Sequence, residues 1–378
     1  MVEIMQKKKI VYITGSRADF GRAYYTLNAI RKEGSFRLYI IATSMHLSQE
    51  FGYTLREIQK DFKIYDTVDS LLSSDTLGSM VKSFSLELMG ITQILEKLKP
   101  DAIIVLGDRG EMLAAAISAA HLNIPVYHIG GGYFSGSIDN RIRDSITIFS
   151  DFHLVANEKC RNRVINIGAS PSKVYIVGAP DLEPIVKKDF SKPREVSTEF
   201  NIDLDKPLLL VSYHPVTEEY QDIERQAMKV YKSILKFKIQ TIIIHPNADA
   251  GGKKIAKILK KYSKHPFIQT YTHIPYKLYL GLMNIASVMV GNSSAGIIEA
   301  PSFGLPVVNI GSRQKNREKA DNIIDVKCDI DEITNAIETA LYDEKFIQRA
   351  KNCKNPYGDG KTSERIIEIL KNNFGEIQ

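Results

Sequence analysis

Apolar residues gather in short runs along this chain, and between the runs they recur at helical spacing. The first run, Lys9–Thr14 (KIVYIT), gives way to a helical pattern reaching about Arg31, and Phe36–Thr43 (FRLYIIAT) is a second run. A polar stretch, Ser44–Asp75, follows. A helical pattern over Ser79–Leu98 is stopped by Lys99-Pro100 and leads into Ala102–Gly107 (AIIVLG), an Ala-rich helix over Met112–Leu122 and the run Val126–Ile129. Three glycines, Gly130 to Gly132, then precede a helix carrying Ile138–Arg143 and short runs at Phe152–Ala156 and Val174–Gly178. Continuous apolar runs this short predict strands buried on both faces of a parallel sheet. Their alternation with helices predicts βαβ units.

The pattern breaks into charges and prolines around Ile185–Asp205, where a linker is expected, and then starts again. Strands are predicted at Pro207–Tyr213, Thr241–Ile244, Phe267–Tyr271, Val288–Val290 and Val307–Ile310. A helix runs through Ile223, Ala227, Val230 and Ile234, and an amphipathic last helix covers Glu364–Leu370. The predicted organisation is α/β: two Rossmann-like domains with parallel sheets, residues 1–185 and 186–360, separated by a cleft. The tail, 361–378, is expected to pack back across the junction. Ligands of open α/β sheets bind beyond the carboxyl ends of the strands. Arg17, Asp108, Gly130, His214, His245 and Ser293 all follow such ends, which makes them candidates for one site.

Composition narrows the function. At 378 residues, 44% hydrophobic and 25% charged, the chain has the make-up of an ordinary globular protein long enough for two cores. A net charge of +6 is mild. No basic run interleaves with aromatics, so nucleic acid is not an expected partner, whereas a phosphorylated small molecule suits the sign. No apolar stretch approaches a membrane span, and the start, MVEIMQKKKIVYIT, has no long apolar core ahead of a cleavage site. Three cysteines, Cys160, Cys328 and Cys353, share no metal-type spacing and fit a reducing cytosol.

The most informative stretch is Val288–Gly311, VMVGNSSAGIIEAPSFGLPVVNIG. It reads as a strand, a turn of small residues and a helix start. Such a turn points N–H groups and the Ser293 and Ser294 hydroxyls at an anion, with the helix dipole behind them. Glu299, about one turn on, is placed to accept hydrogen bonds from a ribose diol. The plain alternative is that Asn292-Ser293-Ser294 only caps the helix.

Further strings lie in order along the chain: ITGSRADFG (13–21), MHLSQEFGYT (45–54), LGDRGEML (106–113), SGSIDNRIRDSIT (135–147), SYHPVT (212–217), HPNADAG (245–251), GNSSAGIIEAPSFGLPVVNIGSRQKNR (291–317) and NPYGDG (355–360). With these the sequence resembles the hydrolysing UDP-N-acetylglucosamine 2-epimerases, the sialic-acid-pathway branch of their family, nearly end to end. The resemblance implies a GT-B-like fold, a UDP-sugar as the partner molecule, a homo-oligomer, and neither metal nor nicotinamide as cofactor. It implies a reaction in which UDP leaves C1 as the C2 proton is removed. Water then adds with inversion at C2, releasing N-acetylmannosamine. Such chemistry needs a base, stabilisation of the departing diphosphate and a proton source.

By the same resemblance, Asp108, Asp139 and His214 would be catalytic. Arg17, Asp19, Arg143, His245, Asn247, Ser293, Ser294, Gly296 and Glu299 would bind substrate or UDP. For His46, substrate contact and core packing weigh equally. The chain departs from the family at Gly130-Gly131-Gly132-Tyr133, where an acidic or imidazole side chain and then Gly-Gly-Glu are usual. Asn140 and Asp144 also replace an acid and a histidine. Glycine carries no proton, and the reference pKa of tyrosine, near 10, suits a base poorly. Three readings stay open: the same reaction with roles redistributed among Asp108, Asp139, His214 and Glu111; the reaction on a related UDP- or GDP-linked diacetamido-trideoxy sugar; or a UDP-sugar binder without turnover.

Overall fold

Two sheets carry the chain, and the central strands of each are too apolar to face water on either side. The computed structural model describes residues 7–74 and 76–375. Residues 1–6, on which the expectation of no leader partly rests, and 376–378 of the expected tail lie outside them. The first sheet comprises β1 (Lys8–Thr14), β2 (Phe36–Thr43), β3 (Ile64–Val68), β4 (Ala102–Leu106), β5 (Val126–Ile129), β6 (Phe152–Val155) and β7 (Val174–Ile176), in the order 3-2-1-4-5-6-7. The second comprises β8 (Leu208–Ser212), β9 (Gln240–Ile244), β10 (Ile268–Tyr271), β11 (Val288–Gly291), β12 (Val307–Ile310) and β13 (Ile323–Val326), in the order 10-9-8-11-12-13. Neighbouring strands are parallel throughout.

Alternate residues of the central strands serve different cores, as the period of a strand requires. In β1, Ile10 and Tyr12 join one buried cluster while Val11 and Ile13 join the other. In β8, Leu208 and Leu210 face one layer while Leu209 and Val211 face the opposite one. In each sheet the chain steps out to one edge and then returns to pair on the other side of its first strand. This opens a crevice at the carboxyl ends of β1 and β4, and a second at those of β8 and β11. One core cluster joins Val155 and Leu182 of the first lobe to Leu280 and Ile298 of the second. The last helix, Thr362–Gly375, returns to the first lobe and buries Ile366 and Leu370 beside Ile10 and Leu27.

The sheets and their parallel sense agree with the sequence pattern. Two strands, β3 and β13, are additions to it. Both are edge strands, largely half-buried or exposed, so they lack the apolar run that marks their neighbours. Part of the expected linker is helical over Pro193–Phe200, with proline at its start and Val196 and Phe200 buried. Among the described residues, no helix is long and apolar enough to cross a membrane.

Candidate functional site

The two crevices face each other across a cavity of about 270 Å³. Its walls come from the segments after β1, β2, β4, β5 and β7 in the first lobe and after β8, β9, β10, β11 and β12 in the second.

After β1, Ser16 caps the helix Arg17–Lys32, and Asp19 closes a capping box. The Asp19 carboxylate accepts from the Gly15 and Ser16 N–H groups at 3.2 and 2.7 Å, from the Ser16 hydroxyl at 2.9 Å and from the Thr14 hydroxyl. Asp19 is fully buried beneath the loop and does not line the cavity. The expectation of direct ligand contact is corrected here: its bonds shape the turn that projects Arg17 into the cleft. His46 is likewise behind the wall, with Nε2 2.9 Å from Thr14 Oγ1 and Nδ1 2.7 Å from Thr54 Oγ1. Burial pushes its imidazole down to about 4, so it is a neutral core residue.

After β4 come Asp108 and Arg109, both on the cavity wall. Asp108 is ion-paired with Arg143, which is 1% exposed and also donates to the Tyr133 carbonyl at 2.9 Å. Burial and the neighbouring Arg317 and Arg163 guanidiniums work against the Arg143 charge, the Asp144 carboxylate works for it, and Asp108 is its direct ion-pair partner. Arg109 pairs with Glu111 at 2.5 Å, and Glu111 sits behind the wall, off the cavity. That position removes Glu111 from direct proton transfer. Asp139, in the first turn of the helix Ile138–Ile148, lines the cavity 3.3 Å from Arg313 of the other lobe. Burial raises its carboxyl above the ordinary range, against the opposing pull of Arg313.

Two of the three glycines after β5 are required by the backbone. Gly130 and Gly132 have φ of 79° and 80°, and a Cβ on Gly132 would lie 2.4 Å from the Cys160 carbonyl oxygen. The turn delivers the Tyr133 carbonyl to Arg143 and its ring to the cavity wall. Burial drives the Tyr133 phenol well above its ordinary value, which excludes it as a base at neutral pH.

In the second lobe, Asn292 ties the ends of β8 and β11 together. It accepts from His214 N at 2.7 Å and donates to His214 O at 2.9 Å. The His214 Nδ1 accepts from Asn247 N at 3.4 Å, and Nε2 is 3.1 Å from Ser212 Oγ. Burial, followed by the nearby Arg313 charge, pushes this imidazole down to about 3. It therefore meets a ligand uncharged. His245 and Asn247 also line the cavity, and Asn247 Oδ1 is buried there without a hydrogen-bond partner.

Ser293 and Ser294 are on the wall as expected, but the helix they open, Ala295–Ile298, is a single turn. The dipole contribution expected from the sequence is correspondingly small. Gly296 does not reach the cavity. A Cβ there would sit 3.0 Å from Val307 Cγ1, so its role is close packing of the turn on β12. Glu299 does line the cavity, only 4% exposed. Burial and the Asp181 carboxylate push its carboxyl up to about 8, with Arg22 pulling the other way.

Residues 313–317 were not selected from the sequence, although they too follow a strand end. Arg313 donates to the Asn292 carbonyl at 3.3 Å and meets Asp139, and Gln314 donates to the same carbonyl at 2.8 Å. Arg317 Nε donates to the Phe134 carbonyl at 2.8 Å. This segment links the serine loop to the carboxyls of the first lobe. In all, six guanidiniums and four carboxyls line the cavity. The excess of positive charge suits a dianion such as a diphosphate.

Fold and cavity together define a two-lobed, GT-B-like α/β protein with an anion-suited cavity between the lobes. The chain belongs to the UDP-N-acetylglucosamine 2-epimerase family, whose model matches residues 28–371. It is 40% identical over 365 residues to the UDP-N,N'-diacetylbacillosamine 2-epimerase (hydrolyzing) of Legionella pneumophila, covering 96% of each chain. It is 36% identical over 374 residues to the GDP/UDP-N,N'-diacetylbacillosamine 2-epimerase (hydrolyzing) of Campylobacter jejuni, covering 98% of this chain and 96% of that one. The fold matches a UDP-GlcNAc 2-epimerase of Methanocaldococcus jannaschii, solved with UDP-GlcNAc and UDP, at a TM-score of 0.80 and 21% identity, over 96% of this chain and 99% of that one.

Proposed function

We propose that this chain is a hydrolysing 2-epimerase whose substrate is UDP-N,N'-diacetylbacillosamine. The observation that carries the mechanism is the division of labour across the cleft. The Ser293 and Ser294 hydroxyls and Arg313, suited to a diphosphate, stand in the second lobe with Arg17 reaching toward them from the first, and two first-lobe carboxyls, Asp108 and Asp139, line the same cavity. The choice of sugar is supported by the two relatives of that name, at 40% and 36% identity. A UDP-N-acetylglucosamine 2-epimerase of Neisseria meningitidis follows at 33%. This favours the diacetamido sugar over release of N-acetylmannosamine.

In the proposed sequence, Asp108 is the base. It is ion-paired with Arg143 on the cavity wall, and it takes the C2 proton. The C2–H electron pair forms the C1–C2 double bond as the C1–O bond breaks, and its electrons pass to the diphosphate. Arg17, Arg313 and the Ser293 and Ser294 hydroxyls stabilise that charge. A proton then reaches C2 from the opposite face by way of the Asp139 carboxyl as water adds its hydroxyl to C1, and the remaining proton of that water passes back to Asp139. His214 serves as a neutral hydrogen-bond partner of the diphosphate.

UDP release from UDP-N,N'-diacetylbacillosamine and from UDP-N-acetylglucosamine, assayed separately, tests the choice of sugar. The first is expected to have the higher kcat/KM, by about tenfold or more. Equal or reversed values would return the N-acetylmannosamine reading. Binding of both without UDP release would identify a binder, the reading that Gly130 and Tyr133 keep open.

A further inference from the structure

Arg17 enters the cavity from the first lobe, and its Nη1 donates to Nδ1 of His273. His273 belongs to the second lobe, just beyond β10, and also lines the cavity. Its Nε2 lies 2.6 Å from Glu57 Oε1, on the first-lobe helix Leu55–Gln59. The line Glu57–His273–Arg17 therefore crosses the mouth of the cleft twice. A guanidinium has no acceptor atom, so Nδ1 must be the bare nitrogen and Nε2 must carry the hydrogen that Glu57 accepts.

The electrostatics run along the same line. Burial weakens the Arg17 charge, down to about 10, and Glu57 is the largest influence restoring it. Burial also opposes the Glu57 charge, but its bond to His273 and the nearby Arg17 outweigh that and hold its carboxyl below the ordinary range. His273 takes one N–H of a group that has five. The described residues make no hydrogen bond to Arg17 Nε or Nη2, so an edge remains for paired contact with phosphate oxygens.

We propose that His273 is a positioning residue that clasps Arg17 across the cleft, presenting its guanidinium to the ligand diphosphate and coupling that pose to closure of the two lobes. The proposal rests on Arg17 as a diphosphate contact, as read above. Its chemistry is specific. The acceptor at Nδ1 holds Arg17, while the donor at Nε2 only anchors the imidazole to Glu57.

Three variants of the full chain separate these parts. His273→Asn keeps an acceptor where Nδ1 stands, His273→Gln keeps a donor where Nε2 stands, and His273→Ala keeps neither. Titration calorimetry with UDP and with uridine reads the result. The Ala and Gln variants are expected to bind UDP on the order of tenfold more weakly while uridine affinity is unchanged, and Asn is expected to stay within about threefold of wild type. In the ligand-free protein, nitrogen-15 NMR should show His273 protonated at Nε2 and bare at Nδ1. The clasp is overturned by UDP affinity that is unchanged or tighter in the Ala variant, by equal losses for UDP and uridine, by Asn failing where Gln succeeds, or by the opposite tautomer. If wild type binds UDP and only the variants behave wrongly, His273 alone loses its role. If wild type does not bind UDP, the nucleotide reading falls and the clasp falls with it.

Discussion

Replacing Glu299 by glutamine should strengthen the ligand-free fold and weaken nucleotide binding at once. Glu299 is 4% exposed beside the Asp181 carboxylate, and its carboxyl is pushed from 4.5 up to about 8. The sign follows from proton linkage. Between those two values the folded chain holds a proton that the unfolded chain gives up, so wild-type stability falls as pH rises from the lower value to the upper. At 1.36 kcal/mol per pH unit, the full shift corresponds to at most about 5 kcal/mol above pH 8. The repulsion is shared with Asp181, and Arg22 offsets part of it. About 2 kcal/mol is the expected gain for Glu299→Gln at pH 8.5, and close to none at pH 4.5. Thermal unfolding of both proteins across that range measures it. Uridine and UDP should both bind about tenfold more weakly, because the lost contact is to ribose and not to phosphate. A variant destabilised at every pH, or stabilised equally at every pH, would refute the burial argument. Unchanged uridine affinity would refute the ribose role.

Asp108→Asn should lower turnover by about 10² to 10³-fold with UDP affinity nearly unchanged, as steady-state kinetics and titration would report. It should also cost about 2 kcal/mol of stability by denaturant unfolding, because the buried Arg143 loses its carboxylate; the exposure of Asp108 keeps the loss below that of a fully buried pair. Gly132→Ala should destabilise the fold by about 2–4 kcal/mol in the same unfolding assay. Its φ is positive, and the new methyl meets the Cys160 carbonyl. Gly131→Ala should cost less, its nearest neighbours being side-chain atoms of His128 and Thr147. Ser293→Ala should weaken UDP about tenfold in calorimetry and leave uridine unaffected.

The sheets were legible because their central strands carry unbroken apolar runs, such as Ala102–Leu106 and residues 208–211. The rule that ligands sit past strand ends then located most of the cavity wall from Arg17 to Glu299. It could not separate a side chain on the wall from one beneath it. Asp19 and His46 satisfy their polar atoms inside the first lobe, and nothing in their spacing distinguishes them from Arg17. Gly296 faces β12 for the same kind of reason. Cross-lobe contacts were the least legible part. Arg313 meets Asp139 across 174 positions, and His273 meets Arg17 across 256. Local periodicity carries no information about such pairs. The edge strands β3 and β13 went unread because half of their surface faces water.

The most direct measurement is isotopic. Wild-type protein is incubated in deuterated water with UDP-N,N'-diacetylbacillosamine, and the released sugar is followed by NMR. Each UDP set free should be matched by one sugar of inverted C2 configuration carrying deuterium at that carbon. UDP release with hydrogen retained at C2 would mean simple cleavage at C1, and would contradict a first lobe whose carboxyls exchange the C2 proton.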